Sequence, residues 1–460
     1  MEEEDRMCGI DGVWGTSAKT EAAILAYLGS YAQQHRGQAS AGIVSSDGVR
    51  LYQEAGMGRV REFFTEERLS RLPGQRAIGH NRYATTGSIK ECNAQPLIAK
   101  TPFGNVAIAH NGNLVNTANV RDELTRSGAL FTSTTDTEII LQLLVTSREE
   151  SLLAGVRVAL SSVEGAFSLI IMSENEMIAV RDPRGFRPLC IGQLPDGGYV
   201  FASETCALDL IEATYMRDVL PGEMVHLSNH DMNMHCSFLW GATRRSACLF
   251  ELVYFSRPDS NVFGHNVYLT RKAFGAQLAR EAPVAVDMVV PVPDSGLPAA
   301  LGYSEVSGIP IEHALIRNHY VGRTFIEPTQ SIRHFGVKVK HNAIRCVLEG
   351  KRVVIVDDSI VRGTTCKKLI EMIRHAGARE VHVRVSSPPP CEPCYYGIDT
   401  PTREEYIANK LTVPGICKFV NADSLEYLSY AGMLQVAQKV PQGYCTTCWT
   451  GIHPIDILKK

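Results

Sequence analysis

Hydrophobic and polar positions follow two different patterns along this chain. Up to about residue 240, short apolar runs are broken by Gly and Asn turns, and two longer stretches, near 21–34 and 135–147, have helical spacing. The candidate strands in this part are 77–80, 106–109, 168–172 and 177–181. Short strands of this kind with few helices predict layered antiparallel sheets with helices outside.

From Arg271 onward, strands and helices alternate, which predicts a parallel, doubly wound sheet. The stretch 227–245 between the two patterns is polar, and we predict that it is irregular. We place the domain boundary there, with a first domain over residues 8–240 and a second over residues 241–460. A chain of 460 residues is long enough for two or three domains with cores of their own.

The run Val353-Val354-Ile355-Val356 in the second part is typical of a buried parallel strand. It ends in Asp357-Asp358, followed by the hydroxyl-rich loop 359–365 and a helix that we expect to start near Cys366. Ligands of open α/β sheets bind at the carboxyl ends of strands, and a loop of N–H groups before a helix favours a phosphate. The adjacent acids can bind sugar hydroxyls or Mg²⁺, so the segment predicts a phosphorylated sugar as ligand.

The segment 353–365 resembles the signature of type I phosphoribosyltransferases, which bind 5-phosphoribosyl-1-pyrophosphate. The resemblance implies that Asp357 and Asp358 face the ribose hydroxyls and Mg²⁺, with Ser295 as a third neighbour of the ion. It implies a loop for the 5-phosphate that contains Ser359, Arg362, Gly363, Thr364 and Thr365. A pyrophosphate loop would contain Asp294, Ser295 and Gly296, although Pro-Asp-Ser-Gly is also an ordinary turn sequence. The segment 317–326 resembles the mobile lid of this family.

Cys8 lies in a second set of motifs near the start of the chain. By itself, an early cysteine is more often a buried small hydrophobe than a nucleophile. Four motifs follow it in order: Gln-His-Arg-Gly-Gln at 34–38, Gly-His-Asn-Arg-Tyr at 79–83, Ala-His-Asn-Gly-Asn at 109–113 and Thr-Thr-Asp-Thr-Glu at 134–138. The ordered set resembles the class II glutamine amidotransferase domain, whose nucleophile is an N-terminal cysteine. The resemblance implies the four-layer αββα fold of N-terminal nucleophile hydrolases.

The same resemblance implies a role for each residue of the first site. The thiolate of Cys8 would attack the side-chain amide of glutamine, form a thioester and release ammonia. Arg82 would pair with the substrate carboxylate, Asp136 would hold its ammonium group, and Asn111 with the N–H of Gly112 would form the oxyanion hole. Each residue also has an ordinary explanation: Asn111-Gly112 as a hairpin turn, Asp136 as a first-turn helix acid, and Arg82 as a surface ion pair.

Residues 1–7 precede the cysteine, and four of them are acidic. They form no plausible targeting signal and are typical of a short leader. We expect removal of the leader, or of an initiating Met7, so that the active protein begins at Cys8. Its α-amino group, with an unperturbed pKa of about 7.7–8.0, would then serve as the base.

Composition excludes several classes of protein and partner. A formal charge of −3 predicts no binding to nucleic acid or to an anionic membrane surface. No apolar stretch reaches about 18 residues, so we expect no transmembrane helix. Thirteen cysteines without a secretory signal favour a reducing compartment. We therefore expect a cytoplasmic protein, and a mature form inside an organelle stays open.

Four of the cysteines are candidate metal ligands. The spacing of Cys445 and Cys448 suits a metal, with structural zinc as the usual explanation and a redox pair as a weaker one. The resemblance adds Cys248 and Cys394, because one branch of the family holds a [4Fe–4S] cluster at these four positions and another branch lacks it. Spacing alone does not choose between zinc and iron. We treat Cys391 as a bystander and expect a structural role for the cluster.

From Cys8 to Ile455 the chain resembles the glutamine phosphoribosylpyrophosphate amidotransferase family. The resemblance implies that ammonia from glutamine displaces pyrophosphate to give 5-phosphoribosylamine, the first committed step of purine synthesis. It also implies feedback inhibition by purine nucleotides and a homo-oligomer, a tetramer in this family. Three alternatives are another class II amidotransferase, which would lack the Asp357-Asp358 segment, a purine-sensing DNA-binding regulator, which would lack the glutaminase half, and a degenerate paralogue.

Overall fold

The computed structural model describes residues 7–17, 19–83, 90–241, 243–318, 341–437 and 443–457. The strands in these ranges are β1 (Gly9–Trp14), β2 (Ser40–Ser46), β3 (Leu51–Met57), β4 (Arg76–Arg82), β5 (Leu97–Thr101), β6 (Gly104–Leu114), β7 (Gly165–Met172), β8 (Glu176–Arg181), β9 (Cys190–Gln193), β10 (Tyr199–Ala202), β11 (Thr214–Asp218), β12 (Glu223–Ser228), β13 (Asp231–Phe238), β14 (Ala247–Cys248), β15 (Asn261–Val262), β16 (His265–Asn266), β17 (Met288–Pro291), β18 (Leu315–Arg317), β19 (His341–Ala343), β20 (Arg352–Asp357), β21 (Glu380–Val385), β22 (Ser424–Tyr427) and β23 (Tyr444–Cys445).

The helices in the same ranges are α1 (Ala22–Ala32), α2 (Val60–Phe63), α3 (Glu66–Ser70), α4 (Thr117–Arg126), α5 (Thr137–Val145), α6 (Leu152–Ser161), α7 (Thr205–Leu210), α8 (Val267–Glu281), α9 (Leu297–Ser307), α10 (Arg345–Leu348), α11 (Thr364–His375), α12 (Val413–Val420), α13 (Tyr430–Ala437) and α14 (Thr447–Thr450). Glu251–Phe255 forms a π-helical turn. None of the helices in the described ranges is both long enough and apolar enough to cross a membrane.

Two antiparallel sheets form the first half of the molecule. One has the order β11-β9-β10-β1-β4-β2-β3, and the other has the order β13-β12-β8-β7-β6-β5. Apolar side chains from both sheets, such as Ile10, Ile78, Ala109 and Ile170, pack together between them. Helix α1 covers the outer face of the first sheet, and α4, α5 and α6 cover that of the second. The layers are therefore αββα, which confirms the predicted fold of this half.

The candidate strands of this half lie within observed strands, and the candidate helices 21–34 and 135–147 contain α1 and α5. The stretch 227–245 differs from the prediction. Its polar residues include most of β13, which pairs antiparallel with β12 from Glu223↔Phe238 to Ser228↔Asp231. The prediction of an irregular segment is wrong because β13 is an edge strand, and an edge strand tolerates polar side chains on its open face. The domain boundary itself stays a prediction.

A parallel sheet of order β17-β20-β21-β22 forms the centre of the second half, as predicted. Strand β20 is buried on both faces: Val353 and Ile355 contact one apolar cluster, whereas Val354 and Val356 contact another. The first cluster includes α11 and α12, and the second includes α8 and α9. Helices on both faces explain why the run has no polar position. The sheet places the carboxyl ends of β17 and β20 side by side.

Candidate active sites

Cys8 lies immediately before β1, an interior strand of the first sheet that pairs with β10 and β4. The residue is 6% exposed, and its thiol donates a weak hydrogen bond to the carbonyl of Tyr83 at 3.6 Å. Burial raises the pKa of Cys8, while the Tyr83 contact and the charge of Arg82 oppose that shift. The nucleophile candidate therefore faces a cationic group in a site that is largely closed to water.

Arg82 is the last residue of β4 and is 2% exposed, so the surface ion-pair explanation is wrong. Burial lowers the pKa of Arg82, and the charges of Cys8 and Asp136 act in the opposite direction. The three side chains therefore interact, although they are far apart in sequence. A buried guanidinium that interacts with both a thiol and a carboxylate suits an amino-acid substrate with two charged ends.

Asp136 precedes α5 but makes no side-chain cap of that helix. Its Oδ2 instead accepts the N–H of Leu114 at 2.9 Å and lies 3.7 Å from Nδ1 of His110. Burial alone would raise the pKa of Asp136, but His110 and the nearby backbone N–H groups outweigh it and hold the pKa below its ordinary value. Asp136 therefore does lie at the start of a helix, as the ordinary explanation expected. Its carboxylate, however, contacts Leu114 and His110 of the site and does not cap the helix.

Asn111 and Gly112 lie inside β6, opposite Ser168 and Phe167 of β7. The hairpin-turn explanation is therefore wrong, because the strand continues through both residues to Leu114. Gly112 has φ 151°, and a Cβ there would lie 2.0 Å from the carbonyl oxygen of Ala166, so no other residue fits. Packing between two sheets, which a local turn signal does not contain, decides this conformation.

Ser203, which the sequence reasoning missed, links β1 to β6. Its hydroxyl accepts the N–H of Ile10 at 3.1 Å and a long bond from Nδ2 of Asn111 at 3.5 Å. Oδ1 of Asn111 is buried and has no hydrogen-bond partner among the described atoms. Since an amide Nδ2 carries two hydrogens and this bond is weak, Asn111 keeps donor capacity for a ligand.

Asp357 and Asp358 lie at the carboxyl end of β20, as predicted. Asp358 is buried and accepts the hydroxyl of Ser359 at 2.6 Å. Burial raises the pKa of Asp358, whereas hydrogen bonds from Ser295 and Ser359 and the charge of Arg271 lower it. The structure thus brings Ser295, from the loop after β17, against Asp358. Arg271 was not singled out by sequence reasoning.

The loop 359–363 ends at Gly363, the residue before α11, with φ 76°. A Cβ on Gly363 would lie 2.7 Å from the Cδ1 of Ile407, a side-chain end that can move, so the positive φ is the main reason for glycine here. Thr364 and Thr365 form the first turn of the twelve-residue helix. Their backbone N–H groups and the positive end of the helix dipole favour an anion at this position.

Arg362 does not project alone into this loop. Its Nε and Nη2 donate to the Oε1 of Glu405 at 3.2 and 2.8 Å. Glu405 also accepts the backbone N–H of Thr402. A phosphate at this loop would therefore share the guanidinium with Glu405, a partner that the sequence signature does not indicate.

Asp294, Ser295 and Gly296 lie between β17 and α9, and the Pro293–Asp294 peptide bond is cis. The carboxylate of Asp294 pairs with Arg317. A Cβ on Gly296 would lie 2.4 Å from the carbonyl oxygen of Val356, so glycine lets this loop approach β20. Of the predicted lid, only Arg317 and Asn318 are within the described ranges, and residues 319–326 lie outside them.

Three of the four predicted cluster cysteines lie within electrostatic reach of one another. Cys248 and Cys445 are register partners in the parallel pair β14–β23, and both interact electrostatically with Cys394. The backbone N–H of Tyr396 donates to the sulfur of Cys394 at 3.3 Å. Burial raises the pKa of Cys445 to about 12. In the part of the chain that the structure describes, no three His, Cys, Asp or Glu side chains form a group that could hold a metal ion.

Two protein families match the two halves of the chain. The family described as "Glutamine amidotransferase domain" matches residues 80–210, and the one described as "Phosphoribosyl transferase domain" matches residues 266–392. The amidophosphoribosyltransferase of Rhizobium etli is 52% identical, with 98% of this chain and 92% of the relative covered. The amidophosphoribosyltransferase 1 of Arabidopsis thaliana, named chloroplastic, is 48% identical, with 97% and 78% covered. The chain belongs to the amidophosphoribosyltransferase family.

A solved amidophosphoribosyltransferase supports the same fold over the full length. The glutamine phosphoribosylpyrophosphate amidotransferase of B. subtilis, in complex with ADP and GMP, superposes with a TM-score of 0.92 at 46% identity. The comparison covers 98% of each chain. Family membership confirms an enzyme with a glutaminase half and a phosphoribosyltransferase half, and it sets aside the non-enzymatic regulator and the other class II amidotransferases.

Proposed function

We propose that this chain makes 5-phosphoribosylamine, glutamate and pyrophosphate from glutamine, water and 5-phosphoribosyl-1-pyrophosphate, as the name of its family describes. The reaction takes place at two sites. The buried site around Cys8 releases ammonia, and the site at the ends of β17 and β20 consumes it. One observation carries the proposal: a buried thiol flanked by Arg82 and Asp136 occurs in the same chain as an acid pair beside a phosphate-type loop.

In the first site, the sulfur of Cys8 attacks the amide carbon of glutamine and forms a tetrahedral intermediate. Asn111 and Gly112 donate hydrogen bonds to its oxyanion. The carbon–nitrogen bond breaks, ammonia leaves with the proton that the thiol gave up, and water hydrolyses the thioester to glutamate. The α-amino group of Cys8 carries that proton, which requires that Cys8 is the first residue.

Arg82 and Asp136 hold the two charged ends of glutamine in this proposal. The fork of Arg82 matches the α-carboxylate, and Asp136 stays ionised to bind the ammonium group because its pKa is held low. Both side chains are buried, so water competes little for their hydrogen bonds. Two fixed charges of opposite sign also explain selection of an α-amino acid over a simple amide.

In the second site, ammonia attacks the anomeric carbon and pyrophosphate leaves. Asp357 and Asp358 bind the ribose hydroxyls, the loop with Ser359, Thr364 and Thr365 binds the 5-phosphate, and Asp294 to Gly296 face the diphosphate. Mg²⁺ bound near Asp357, Asp358 and Ser295 would neutralise the leaving diphosphate. Two carboxylates and a hydroxyl suit this ion, because Mg²⁺ usually takes one or two protein carboxylates and completes its shell with phosphates and water.

The four cysteines suit a [4Fe–4S] cluster, because four thiolates are its usual ligands and an N–H donor already faces the sulfur of Cys394. Such a cluster would join β14 to the C-terminal β23. We propose a structural role, with Cys391 outside the ligand set. Purine nucleotides would act as feedback inhibitors, which fits the ADP and GMP in the B. subtilis relative. We further propose a homotetramer and a cytoplasmic location, with an organelle form as the alternative.

The decisive assay follows both halves of the reaction at once. Purified protein is incubated with glutamine, Mg²⁺ and 5-phosphoribosyl-1-pyrophosphate, and glutamate and pyrophosphate are measured together. Equal release of both is expected. In the Cys8→Ala variant, glutamine-dependent release of both products should vanish, while pyrophosphate release driven by added ammonium continues. A variant that still uses glutamine contradicts the assignment of Cys8.

The leader needs a separate measurement. Residues 1–6 lie outside the described residues, while Met7 is buried and its N–H donates to the carbonyl of Arg36 at 3.2 Å. N-terminal sequencing of active enzyme should start at Cys8. Full glutaminase activity in protein that keeps Met7 would overturn the proposed role of the α-amino group.

A further inference from the structure

Arg36 holds the backbone of the proposed nucleophile. It belongs to the motif at 34–38, to which the mechanism above gives no role. Its Nε donates to the carbonyl oxygen of Cys8 at 2.9 Å, and its side chain is fully buried. Burial opposes a charge there, but Glu251 and Glu204 outweigh it and raise the pKa of Arg36 above its ordinary value. The guanidinium therefore stays charged and fixed beside the reacting residue.

Two carboxylates orient this guanidinium: Glu204, from the first half of the chain, accepts Nη1, and Glu251, from the second half, binds both Nη1 and Nη2. Nη2 of Arg36 donates to Oε1 of Glu251 at 2.9 Å, and Nη1 donates to Oε2 at 3.1 Å, which is a bidentate pair. Both side chains have 0% exposure. The fork fixes the plane of the guanidinium, and with it the direction of the Nε–H bond toward Cys8.

The turn that carries Glu251 is itself held tightly. The hydroxyl of Ser256 donates to Oε2 of Glu251 at 2.7 Å. Arg271 donates to the carbonyl oxygens of Leu252 at 3.0 Å and Ser256 at 2.7 Å, and it interacts with the charge of Asp358. Arg271 thus connects the turn that carries Glu251 to Asp358 of the second site.

The oxyanion side of the glutaminase site also rests on the second half. Gly397 has φ 100°, and a Cβ built on it would lie 2.7 Å from the Cα and carbonyl carbon of Gly112. Next to it, the carbonyl of Tyr395 accepts Nδ2 of Asn113 at 3.0 Å, and the ring of Tyr396 stacks on Phe186 with centroids 4.5 Å apart. The backbone of Gly397 therefore lies directly against the strand that carries Asn111 and Gly112.

We propose that Glu251 and Gly397 are positioning residues for glutamine hydrolysis. Glu251 fixes the position of the Cys8 backbone through Arg36, and Gly397 supports strand β6 at Gly112, one of the two oxyanion donors. The glutaminase site is then completed by the second half of the chain, and its first half alone holds the reacting groups incorrectly. The inference rests on the proposed role of Cys8. Both contacts act on backbone atoms, so they control geometry and not substrate charge.

Glu251→Gln tests the first contact, because it keeps the shape and removes the charge that the second half of the chain places against Arg36. The kcat for glutamate release should fall about tenfold with KM within about twofold, since small misplacement of a nucleophile costs that much. Ammonium-driven pyrophosphate release should stay unchanged, and the rate of Cys8 alkylation by iodoacetamide should fall in parallel with kcat.

Glu223→Gln is the matched control. Glu223 is also buried and forms a bidentate pair, with Arg217 at 2.7 and 2.7 Å, but this pair contacts neither site. The control should leave both activities and the alkylation rate unchanged. If Glu251→Gln does not fold, Ser256→Ala removes one hydrogen bond from the same carboxylate, and the same readouts should change about twofold to threefold.

Gly397→Ala tests the second contact against Gly308→Ala. Gly308 also has positive φ, 72°, but open space around its Cβ position. Gly397→Ala should lower kcat with glutamine about tenfold and spare ammonium-driven turnover, whereas Gly308→Ala should change neither. Equal losses of both activities in Glu251→Gln and Gly397→Ala, or no loss in either, would overturn the proposal.

These results are distinguishable from failure of the proposed function. If wild-type protein releases glutamate but no pyrophosphate, the second reaction is wrong, yet the kcat and alkylation tests of Glu251 still apply. If Cys8→Ala keeps its glutaminase activity, the nucleophile is wrong, and the positioning proposal fails with it.

Discussion

The two candidate sites differ in how their charges are supported. Around Cys8, the groups Arg36, Arg82 and Asp136 are at most 7% exposed and contact one another or buried partners. At the second site, the pair Arg362–Glu405 is partly open, with side chains 21% and 42% exposed, and Asp294 pairs with a partly exposed Arg317. One site is built into the core, and the other lies at the edge of a sheet.

The difference follows from the chemistry of each site. Covalent attack on an amide needs a fixed nucleophile, a fixed oxyanion hole and little water, which burial between two sheets provides. A sugar diphosphate brings its own charge and binds its own cation, so strand ends, loops and one helix start are enough. The buried site therefore depends on distant residues, whereas the open site depends mainly on its own loops.

Loss of the acid pair should have the largest effect and test whether the two sites are separable. Asp358→Asn is expected to lower pyrophosphate release about 10²–10³-fold with either glutamine or ammonium, because an anchoring charge for ligand and cation is lost. Glutamate release without the sugar substrate should persist. Asp287→Asn is the control, because Asp287 precedes β17 and pairs with Arg352 at the amino end of β20, the end opposite to Asp358. If Asp358→Asn also lost its glutaminase activity, the claim that the two sites are separable would be contradicted.

The loss of activity on removal of an oxyanion donor should be confined to the buried site. Asn111→Ala is expected to lower kcat with glutamine about 10²-fold, as removal of one oxyanion-hole donor does elsewhere, and to spare ammonium-driven turnover. Asn105→Ala provides a control on the same strand, since the side chain of Asn105 donates to Oε1 of Glu174 at 2.8 Å and lies at the exposed end of β6. An unchanged kcat in Asn111→Ala would refute the oxyanion assignment.

A cysteine substitution separates structural support from catalysis. Cys445→Ser should remove iron and sulfide from the purified protein and lower Tm by about 5 °C, because a metal site that ties two segments contributes to folding. Cys391→Ser should keep both. Iron and sulfide analysis with thermal unfolding checks this, and a colourless, fully active enzyme that contains zinc would show that the cluster assignment is wrong.

The smallest expected effect concerns the pH dependence of stability that a buried carboxyl on β1 causes. Burial raises the pKa of Asp11 to about 7, opposed by the hydroxyl of Ser30. An unfolded Asp has a pKa of about 3.9, so the folded state binds more protons between about pH 4 and 7, and stability falls as pH rises through that window. Asp11→Asn should remove this fall and raise Tm by about 2–4 °C at pH 8, with no change at pH 4.

The pKa of Asp287 is shifted in the opposite direction from that of Asp11, so its effect on stability has the opposite dependence on pH. The hydrogen bond from Arg352 lowers the pKa of Asp287 to about 2, so its contribution is present above the unfolded pKa and is lost as pH falls below about 4. Asp287→Asn should therefore lower Tm at pH 7 and leave it unchanged near pH 2. Identical pH profiles for the two variants would contradict the distinction between a buried and an exposed carboxylate.

Local patterns predicted many elements well, for a physical reason. The run 353–356 formed β20 because β-branched residues suit a strand buried on both faces, and α1 and α5 followed helical spacing. The prediction failed for 227–245, where polar residues form an edge strand. It also left open the turn at Asn111-Gly112, since the same two residues suit a tight turn in one context and an extended strand in another.

The sequence by itself determined which chemical groups exist, their order and the short strands and loops that carry them. Only the tertiary structure joined Arg36 to Glu251, which is 215 residues away, and seated Gly397 on Gly112. The reason is that motifs depend on neighbours along the chain, whereas burial, hydrogen-bond geometry and pKa depend on neighbours in space. Membership of a motif identified Cys8, and packing of distant segments decided how it is held.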